Sequence, residues 1–290
     1  MTFNQGRILV GTPASAANLG PGYDTLGLAL TMRDRLEAEV LDDGLEVDVR
    51  GEGADDLPRD RSHLVVRAMD AAFDVLGEQP SGLRLTCDNT IPHARGLGSS
   101  SAAIVGGIVL ARALVEGGDE RLDDASAYQL ASDLEGHPDN VAAAMFGGFT
   151  IAWLDGAIAS VQRLDVIARV TVLVPPEPVA TEEARNLLPD RVPHRDAAAN
   201  AARAALLVGA LTGDPTHLLA APRTSCTSRT APRRCRRRTS WCRDFDRPGF
   251  RRSSPAPVPR CSRSDADSTA SSRPAGSPTS STSSREEPTS

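Results

Sequence analysis

The chain has 290 residues, with 32 basic residues against 38 acidic ones, and its formal net charge is −6. This length allows two modest domains. Hydrophobic residues make up 40% of the chain. No apolar run reaches the 18 or more residues of a membrane span, and the amino terminus lacks the pattern of a secretory signal, so we expect a soluble, cytoplasmic protein. Every basic residue is arginine, which excludes a Walker A phosphate loop, a protein-kinase strand lysine and a Schiff-base lysine.

The composition changes near residue 222. Residues 1–222 contain 17 Arg against 32 acidic residues, whereas residues 223–290 contain 15 Arg against 6. The second segment also holds four of the five cysteines and almost no Leu, Ile or Val, so we expect it not to build a packed core. Its arginine cluster at 233–238 could bind nucleic-acid phosphates, but a solvated charged segment is the interpretation we favour. The cysteine spacing does not predict a zinc site.

Within residues 1–222 the apolar pattern switches between periods of two and about 3.6 residues, which is typical of an α/β or α+β enzyme. The first part of this pattern predicts a strand over 8–10, an irregular segment over 12–24, and a hairpin of strands 36–40 and 45–49 around Asp42-Asp43-Gly44. It then predicts a helix over 62–76 with Ser62 as N-cap, a strand over 83–87, and a glycine loop before a helix over 102–115. The last part predicts helices over 124–134 and from 141, strands over 149–153 and 170–174, and helices over 181–187 and 197–211.

Residues 96–101 form a glycine-rich loop between a predicted strand and a predicted helix. Backbone N–H groups at such a position lie at the positive end of the helix dipole, which suits a phosphate. The same pattern is also typical of a tight turn with close helix packing. Ser99, Ser100 and Ser101 add hydroxyls that can cap the helix or bind Mg²⁺, and without lysine either Arg95 or the metal must supply positive charge.

The segment from Glu135 to Asn140 places a carboxylate and several polar groups at a predicted helix break. Such a cluster can hold a metal ion together with a polar substrate. Alternatively, Asp139 or Asn140 caps the following helix, which is the role we favour for Asp139 taken alone, and a lone His137 is more often packed or solvated. The glycine loop and Asp24 in a third polar segment favour the functional interpretation.

These segments resemble motifs of a known family. Pro13-Ala14-Ser15-Ala16-Ala17-Asn18-Leu19-Gly20-Pro21-Gly22-Tyr23-Asp24-Thr25-Leu26-Gly27 and Pro92-His93-Ala94-Arg95-Gly96-Leu97-Gly98-Ser99-Ser100 resemble the first two motifs of the GHMP small-molecule kinases. Glu135-Gly136-His137-Pro138-Asp139-Asn140, with Thr181-x-x-x-Arg185 and Leu188-Pro189, narrows the resemblance to the homoserine kinases. The resemblance covers residues 7–222.

This resemblance implies ATP-dependent phosphorylation of L-homoserine, a step of threonine biosynthesis, with Mg²⁺. By position it implies an ATP site of Pro92, Arg95, Gly96, Leu97, Gly98, Ser99, Ser100 and Ser101 with His63 near the adenine, a metal site of Ser100 and Glu135, and a homoserine site of Asn18, Asp24, His137, Asn140, Thr181 and Arg185. Asp24 suits the substrate ammonium and Arg185 its carboxylate.

The resemblance further implies catalysis through positioning and charge neutralisation, with Asp24, Asn140 and Arg185 as the catalytic residues. Whether Asp24 acts as a general base, or the hydroxyl proton passes directly to the phosphate, stays open. Three positions depart from the family pattern: Ala16 replaces a serine, His93 a leucine and His63 an asparagine near the adenine. The last departure puts base recognition in question.

Two further family segments, Ser-Gly-Ala-Gly-Pro-Thr and His-Gln-Pro-Tyr-Arg, are absent beyond residue 222. A shifted reading frame explains their absence. When each codon's third base is read with the first two bases of the next, residues 224–231 can encode Glu-Leu-His-Gln-Pro-Tyr-Arg, and residues 254–264 can encode Ser-Gly-Ala-Gly-Pro-Thr-Val-Leu-Ala-Leu. Both missing motifs appear in one frame and in the expected order. We therefore interpret residues 223–290 as a frameshift product.

Together these patterns predict an α+β, two-domain GHMP kinase. Its parts are an ATP-binding domain of the ribosomal protein S5 domain 2-like type over 1–155, a partial ferredoxin-like domain over 156–222 and a disordered Arg/Ser/Pro tail over 223–290. A homodimer is compatible with this prediction, whereas nucleic-acid and membrane partners are not expected, and the loss of the second domain's later half predicts low activity. The alternatives are a GHMP kinase of the mevalonate-pathway type and a non-catalytic nucleotide- or nucleic-acid-binding protein.

Overall fold

A computed structural model describes residues 3–166, 169–177, 189, 191–224 and 261–263. A mixed sheet with helices packed against it dominates this part of the chain. The elements are β1 (Ile8–Asn18), β2 (Gly22–Leu41), β3 (Gly44–Gly51), α1 (Leu64–Leu76), β4 (Gly82–Asn89), α2 (Ser99–Leu114), α3 (Gly118–Arg121), α4 (Asp124–Glu135), α5 (Pro138–Phe146), β5 (Phe149–Asp155), β6 (Ile158–Leu164), α6 (His194–Thr212), a 3₁₀ turn (Pro215–His217) and β7 (Cys261–Arg263).

The first strand is longer than its apolar pattern predicts. The expectation of irregular structure over 12–24 is wrong, because β1 continues to Asn18 and pairs antiparallel with the start of β2. Shifts of register between Pro13 and Ser15, and between Ala17 and Asn18, accommodate this pairing. The small side chains let the strands continue, and the turn formers act only at residues 19–21, between β1 and β2.

The expected hairpin around Asp42-Asp43-Gly44 is also wrong, although both of its strands exist. The order in the sheet is β3-β4-β2-β1-β7, so β4 lies between β2 and β3. β4 pairs antiparallel with β2 and parallel with β3. Alternation of polar and apolar residues identifies a strand but does not identify its neighbour, because any strand with a matching apolar face can occupy the central position.

Helix α1 confirms the helical pattern, but it begins at Leu64, two residues after the predicted start. Seven of its residues are buried against the sheet and α2, and it ends at Gly77 in the left-handed conformation. Its N-cap is His63, whose ring Nδ1 accepts the N–H of Val65 at 3.3 Å. The prediction of Ser62 as the cap is wrong, because both the N–H and the hydroxyl of Ser62 donate to Asp60 instead.

Helix α2 is buried along most of its length and packs against β1, β2 and α1. Two glycines make this close approach possible. A Cβ at Gly106 would overlap Leu36 of β2, and a Cβ at Gly107 would lie 2.5 Å from the carbonyl oxygen of Val65. The small-residue pattern of α2 therefore places its amino terminus directly beside the ends of the central strands.

The remaining helices and strands agree only in part with those predicted from the sequence patterns. Helices α2, α4, α5 and α6 and strands β4 and β5 confirm their patterns, whereas β6, which pairs with β5, and the short α3 had no clear signal. The strand predicted over 170–174 is wrong, since these residues form no ladder. Val170, Val172, Leu173 and Val174 are 39–52% exposed, and no described strand pairs with them. The helix predicted over 181–187 lies outside the described residues.

Three residues of the arginine-rich tail are described. They form β7, which pairs antiparallel with Ile8, Leu9 and Val10 of β1. The expectation that the tail lacks regular structure is therefore not met at these three positions. Among the described helices, none is long and apolar enough to cross a membrane.

Candidate active site

The loop between β4 and α2 is the centre of the candidate site. It is anchored at its start by Asp34, whose Oδ1 accepts the N–H groups of Thr90 at 2.6 Å and of Ile91 at 2.9 Å. Asp34 is 4% exposed. Burial raises the pKa of its carboxyl, and the two N–H donors partly oppose that rise. A buried acceptor thus fixes the point at which the chain leaves the sheet.

The loop itself takes backbone conformations that bring it close to β1 and α5. Gly96 and Gly98 have φ angles of 72° and 66°, and Ala94 has a φ of 52°. The Leu97 carbonyl accepts the N–H of Ser15 at 2.9 Å, and the Leu97 side chain is buried in an apolar cluster. The Leu97 side chain is therefore part of the packing that holds the loop, whereas Gly96 is exposed.

Helix α2 begins at the loop without a side-chain cap. Gly98 is its N-cap in the left-handed conformation, so the serines do not cap the helix as expected but occupy its first turn. Ser100 is exposed and Ser101 is buried. The uncapped N–H groups of this first turn remain a suitable partner for an anion.

Glu135 connects this first turn to the end of α4. The hydroxyls of Ser100 and Ser101 donate to Glu135 Oε1 at 2.6 Å and 2.8 Å. The Glu135 side chain is 8% exposed, and the left-handed Gly136 ends α4 directly after it. The structure thus brings the two residues expected to hold the metal, Ser100 and Glu135, into direct contact although 35 residues separate them.

The polar cluster expected to bind substrate forms the start of α5. His137 is the N-cap by its backbone conformation, and Pro138 is the first helical residue. The cap role favoured for Asp139 is therefore wrong: its Oδ1 contacts His137 Nδ1 at 2.8 Å and accepts the N–H of Asn140 at 2.8 Å. Asn140 Oδ1 in turn accepts the hydroxyl of Ser15 at 2.8 Å.

Two further predicted substrate residues, Asn18 and Asp24, lie on either side of the turn between β1 and β2. Asn18, Leu19 and Asp24 have φ angles of 66°, 37° and 52°. Together with Ala94 of the loop they are the positive-φ residues other than glycine in the part of the chain described. Asn18 Oδ1 accepts the N–H of Asp24 at 3.0 Å, which ties the two residues together. Such backbone conformations cost energy and concentrate at functional sites.

Arg95 does not point its guanidinium along the glycine loop. It donates to the carbonyl oxygens of His93 at 3.1 Å and of Pro176 at 2.8 Å. Beside it lies a cavity of about 410 Å³ lined mainly by apolar residues. The walls of this cavity are Ala16, Leu19, Leu28, Leu30, Arg95, Gly96, Leu97, Arg169, Val170, Thr171, Val172, Leu173, Pro175, Leu207, Leu211, Leu218 and Pro222.

His63, expected near the adenine, serves the start of α1 through its Nδ1. The residue is 3% exposed, and its Nε2 is buried without a hydrogen-bond partner among the described residues. Burial, followed by the charge of Arg59, lowers the pKa of the imidazole. Pro92 is half-buried at the start of the loop. Thr181 and Arg185 lie outside the described residues.

Sequence reasoning missed two residues that hold the site together, Ser15 and Asp34. Each lies in a strand with its side chain buried. A polar residue at an inward position of an apolar strand is a signal for such a role, because a buried polar group normally has a hydrogen-bond partner. Asp34 follows that pattern on β2, and Ser15 follows it on β1.

Comparisons with known proteins define the class of this protein. Residues 63–148 match the family model of the GHMP kinases N terminal domain. A homoserine kinase of Cytophaga hutchinsonii has a similar fold, with a TM-score of 0.63 at 24% identity, over 78% of this chain and 75% of that one. The loop, α2 and the Glu135 segment all lie within the matched residues, and the fold is that of a GHMP kinase.

Two relatives identify the branch of the class. A homoserine kinase of Streptomyces coelicolor is 55% identical over 221 residues, which are 76% of this chain and 72% of the relative. A homoserine kinase of Clavibacter michiganensis is 50% identical over 218 residues, 74% of this chain and 69% of the relative. The chain therefore belongs to the homoserine kinase family.

Proposed function

We propose that this chain transfers the terminal phosphoryl group of ATP to the hydroxyl of L-homoserine and so forms O-phospho-L-homoserine for threonine biosynthesis. The contact of Ser100 and Ser101 with Glu135 carries this proposal. It joins an anion-binding helix start to a carboxylate, directly before the polar cluster of His137 and Asn140. The family membership supports the same reaction.

The loop supplies the ATP phosphates with donors rather than with a lysine. The N–H groups at the start of α2 have no side-chain cap, and the positive end of the helix dipole adds to their effect on an anion. Gly96 and Gly98 leave room there for the backbone to approach a phosphate. Catalysis in this arrangement depends on positioning and on neutralising charge.

The donor set fits Mg²⁺. This ion is usually held by one or two carboxylates together with substrate phosphates and waters. The described residues contain no group of three or more His, Cys, Asp or Glu side chains that would build an all-protein cage. Glu135 with the Ser100 hydroxyl would hold the ion beside the phosphates, and the ion when bound would neutralise phosphate charge.

The homoserine site we propose combines the two polar turns. Asp24 would bind the substrate ammonium, and Arg185 with Thr181 would bind the carboxylate end. Asn18, His137 and Asn140 would complete the contacts. Replacing Asp24 with Asn separates the two routes for the hydroxyl proton: a general base predicts a loss in kcat, whereas direct transfer to the phosphate predicts a rise in the homoserine KM with kcat retained.

The proposed organisation follows the sequence prediction, with an ATP-binding domain over 1–155, a partial second domain over 156–222 and a frameshifted tail over 223–290. Strand β6 extends the sheet of the first domain past residue 155. A cytoplasmic location and a homodimer remain predictions.

The reaction is tested by measuring ADP release with homoserine and with mevalonate as alternative acceptors. We expect turnover with homoserine only. Glu135→Gln should lower kcat about a hundredfold, because the metal loses its carboxylate. Asp133→Asn on the same helix is the matched control, since Asp133 is exposed and, among the described residues, its carboxylate accepts only from Gln129. Turnover with mevalonate, or equal effects of the two variants, would contradict the proposal.

A further inference from the structure

Ser15 lies where β1, the glycine loop and α5 meet, and it is 0% exposed. Its backbone N–H donates to the Leu97 carbonyl of the loop at 2.9 Å, and its hydroxyl donates to Asn140 Oδ1 of α5 at 2.8 Å. A Cβ at Gly98, the N-cap of α2, would overlap the Ser15 hydroxyl. One buried residue therefore connects the loop proposed for ATP with an amide proposed for homoserine.

The contact with Ser15 fixes the orientation of the Asn140 carboxamide. The two ends of a carboxamide differ, because the oxygen accepts hydrogen bonds and the nitrogen donates them. The Ser15 hydroxyl has one proton and donates it to Oδ1, so the oxygen is the end that faces β1. The backbone N–H of Asn140 is also held, by Asp139 Oδ1 at 2.8 Å. Turning the amide over would break its hydrogen bond with Ser15.

The amide nitrogen of Asn140 is the end available to a ligand. None of the described residues accepts its N–H groups. Asn140 is half-buried, and its Nδ2 is not one of the buried side-chain atoms that lack a partner in the described part of the chain. An accessible N–H donor suits an oxygen with free lone pairs. It cannot bind an ammonium group, and it cannot accept the proton of a hydroxyl.

A comparison with Thr12 indicates that the Ser15 hydroxyl does more than fill space in β1. Thr12 lies in the same strand and is also 0% exposed, but its hydroxyl has no hydrogen-bond partner among the described residues. The Ser15 hydroxyl instead donates to a residue 125 positions away in the chain. The register of β1 against β2 shifts between Pro13 and Ser15. Irregularities of this kind re-aim a side chain and are common beside active sites.

We propose that Ser15 is a positioning residue for phosphoryl transfer, which holds the Asn140 carboxamide so that Nδ2 donates to the oxygen of the homoserine hydroxyl. The proposal rests on the proposed function for its substrate. This oxygen accepts from Asn140 with one lone pair and forms the new bond to phosphorus with the other, while the bond from phosphorus to the leaving ADP oxygen breaks. The hydroxyl proton then passes to Asp24 or to the phosphate, and not to Asn140.

The first test needs no turnover. In the isotope-labelled full chain, the side-chain amide signals of Asn140 are assigned through bonds to its own backbone N–H. We expect no strong nuclear Overhauser effect between the Nδ2 protons and the Ser15 Hβ protons, because the oxygen faces Ser15. Ser15→Ala should shift both Nδ2 proton signals, whereas Thr12→Val should leave them unchanged. A strong Overhauser effect to Ser15 overturns the proposal even if no variant folds, and so do signals that ignore Ser15→Ala.

The second test separates positioning from stability. Ser15→Ala should lower kcat about tenfold with both KM values nearly unchanged, because the attacking hydroxyl loses its alignment while other residues still bind the ends of homoserine. Ser15→Thr keeps the hydroxyl and should restore most of the loss. Thr12→Val is the matched control and should keep the wild-type kcat, since it removes a buried hydroxyl that has no partner among the described residues.

A double-mutant cycle completes this test. If Ser15 acts through Asn140, Ser15→Ala should have no further effect on kcat in a protein that already carries Asn140→Ala. An equal loss from Ser15→Ala in both backgrounds would overturn the proposal, and so would a loss from Thr12→Val as large as that from Ser15→Ala.

The tests also separate this proposal from the proposed function. If the Asn140 amide has the expected orientation and responds to Ser15→Ala, but homoserine is not phosphorylated, the positioning of Asn140 stands and the substrate is wrong. If homoserine is phosphorylated and the amide nitrogen faces Ser15, the reaction stands and the positioning role of Ser15 is wrong.

Discussion

Residues 3–166 and the described residues of 169–224 contain similar apolar side chains, but the first region buries more of them, in one large core cluster. Leu85 and Ile104 are at most 2% exposed between the sheet and its helices. In the second region, Leu173 is 52% exposed, and α6 buries only one side, through Leu207, Ala210 and Leu211. An apolar run becomes a strand only where a neighbouring strand pairs with it, and the run over 170–174 has no such neighbour among the described residues.

The residues of the proposed site are also divided between these two regions. The glycine loop, Glu135 and the His137 cluster all lie in the first region. Ser100 at the start of α2 donates to Glu135, and Ser15 of β1 donates to Asn140. The substrate residues of the second region, Thr181 and Arg185, lie outside the described residues. The structure therefore describes the residues proposed for the ATP side of the reaction, but not the two proposed for the carboxylate end of homoserine.

Restoring the reading frame after residue 222 is the strongest test of this difference. By the family resemblance, the restored segment supplies a substrate arginine and later strands of the second domain. We expect homoserine-dependent ADP release to rise about a thousandfold, because one missing charged partner alone costs about 2–5 kcal/mol. Ending the present chain at residue 224 should leave its activity unchanged. Equal activity of the restored and the present chain would show that the tail is not a frameshift product.

Substituting one leucine in each region compares the contribution of side-chain burial to stability in the two regions. Leu85→Ala in β4 should lower the free energy of unfolding by about 2–5 kcal/mol, since Leu85 is 0% exposed. Leu173→Ala should change it by less than about 0.5 kcal/mol, since Leu173 is 52% exposed. Urea denaturation of both variants measures the two values. Similar losses for both would mean that residues 169–177 are packed as tightly as the sheet.

Sequence patterns predicted the local elements of the first region well and their neighbours poorly. The helical spacing of α1 and the glycine loop before α2 were confirmed, because both depend on residues close together in the chain. The hairpin around Gly44 was wrong, because the position of β4 depends on a contact between segments 38 residues apart, such as the pairing of Glu46 with Arg84.

The candidate site followed the same rule. Glu135 and Ser100 were identified from the family motifs, and the structure then brought them together. Ser15 and Asp34 were missed, because their roles depend on which backbone and side-chain groups face them across the fold. Asp139 was misread as a cap, since an acidic residue near a helix start fits that role locally and only the ring of His137 beside it reveals another.

Two glycines separate backbone strain from crowding in the loop. Gly98 and Gly77 share a φ of 66°. A Cβ at Gly98 would overlap the Ser15 hydroxyl and lie 2.9 Å from Asn140 Oδ1, whereas a Cβ at Gly77 would meet nothing within 4 Å. Gly77→Ala should therefore cost about 1 kcal/mol in the free energy of unfolding and leave activity intact.

Gly98→Ala should cost more stability than Gly77→Ala and lower activity at least tenfold, because the overlap displaces the loop from Ser15 and Asn140. Urea denaturation and ADP release measure the two effects. Equal effects of the two substitutions on activity would mean that the contact of the loop with Ser15 and Asn140 does not matter for the reaction.

His63 predicts a dependence of stability on pH in the first region. Burial lowers the pKa of its imidazole below the ordinary value of about 6.5, so the folded state holds the ring neutral. The unfolded chain binds the proton more readily, and the free energy of unfolding therefore falls as the pH decreases from about 6.5 through the lowered pKa.

The variant His63→Asn tests this dependence, because it keeps an acceptor for the Val65 N–H and does not titrate. Between pH 7.5 and pH 5.5 the wild type should lose more stability than this variant in urea denaturation. Their difference removes the opposite contribution of Asp34, which is common to both proteins. An identical loss in both would mean that His63 is solvated, and the start of α1 would then be as open as residues 169–177.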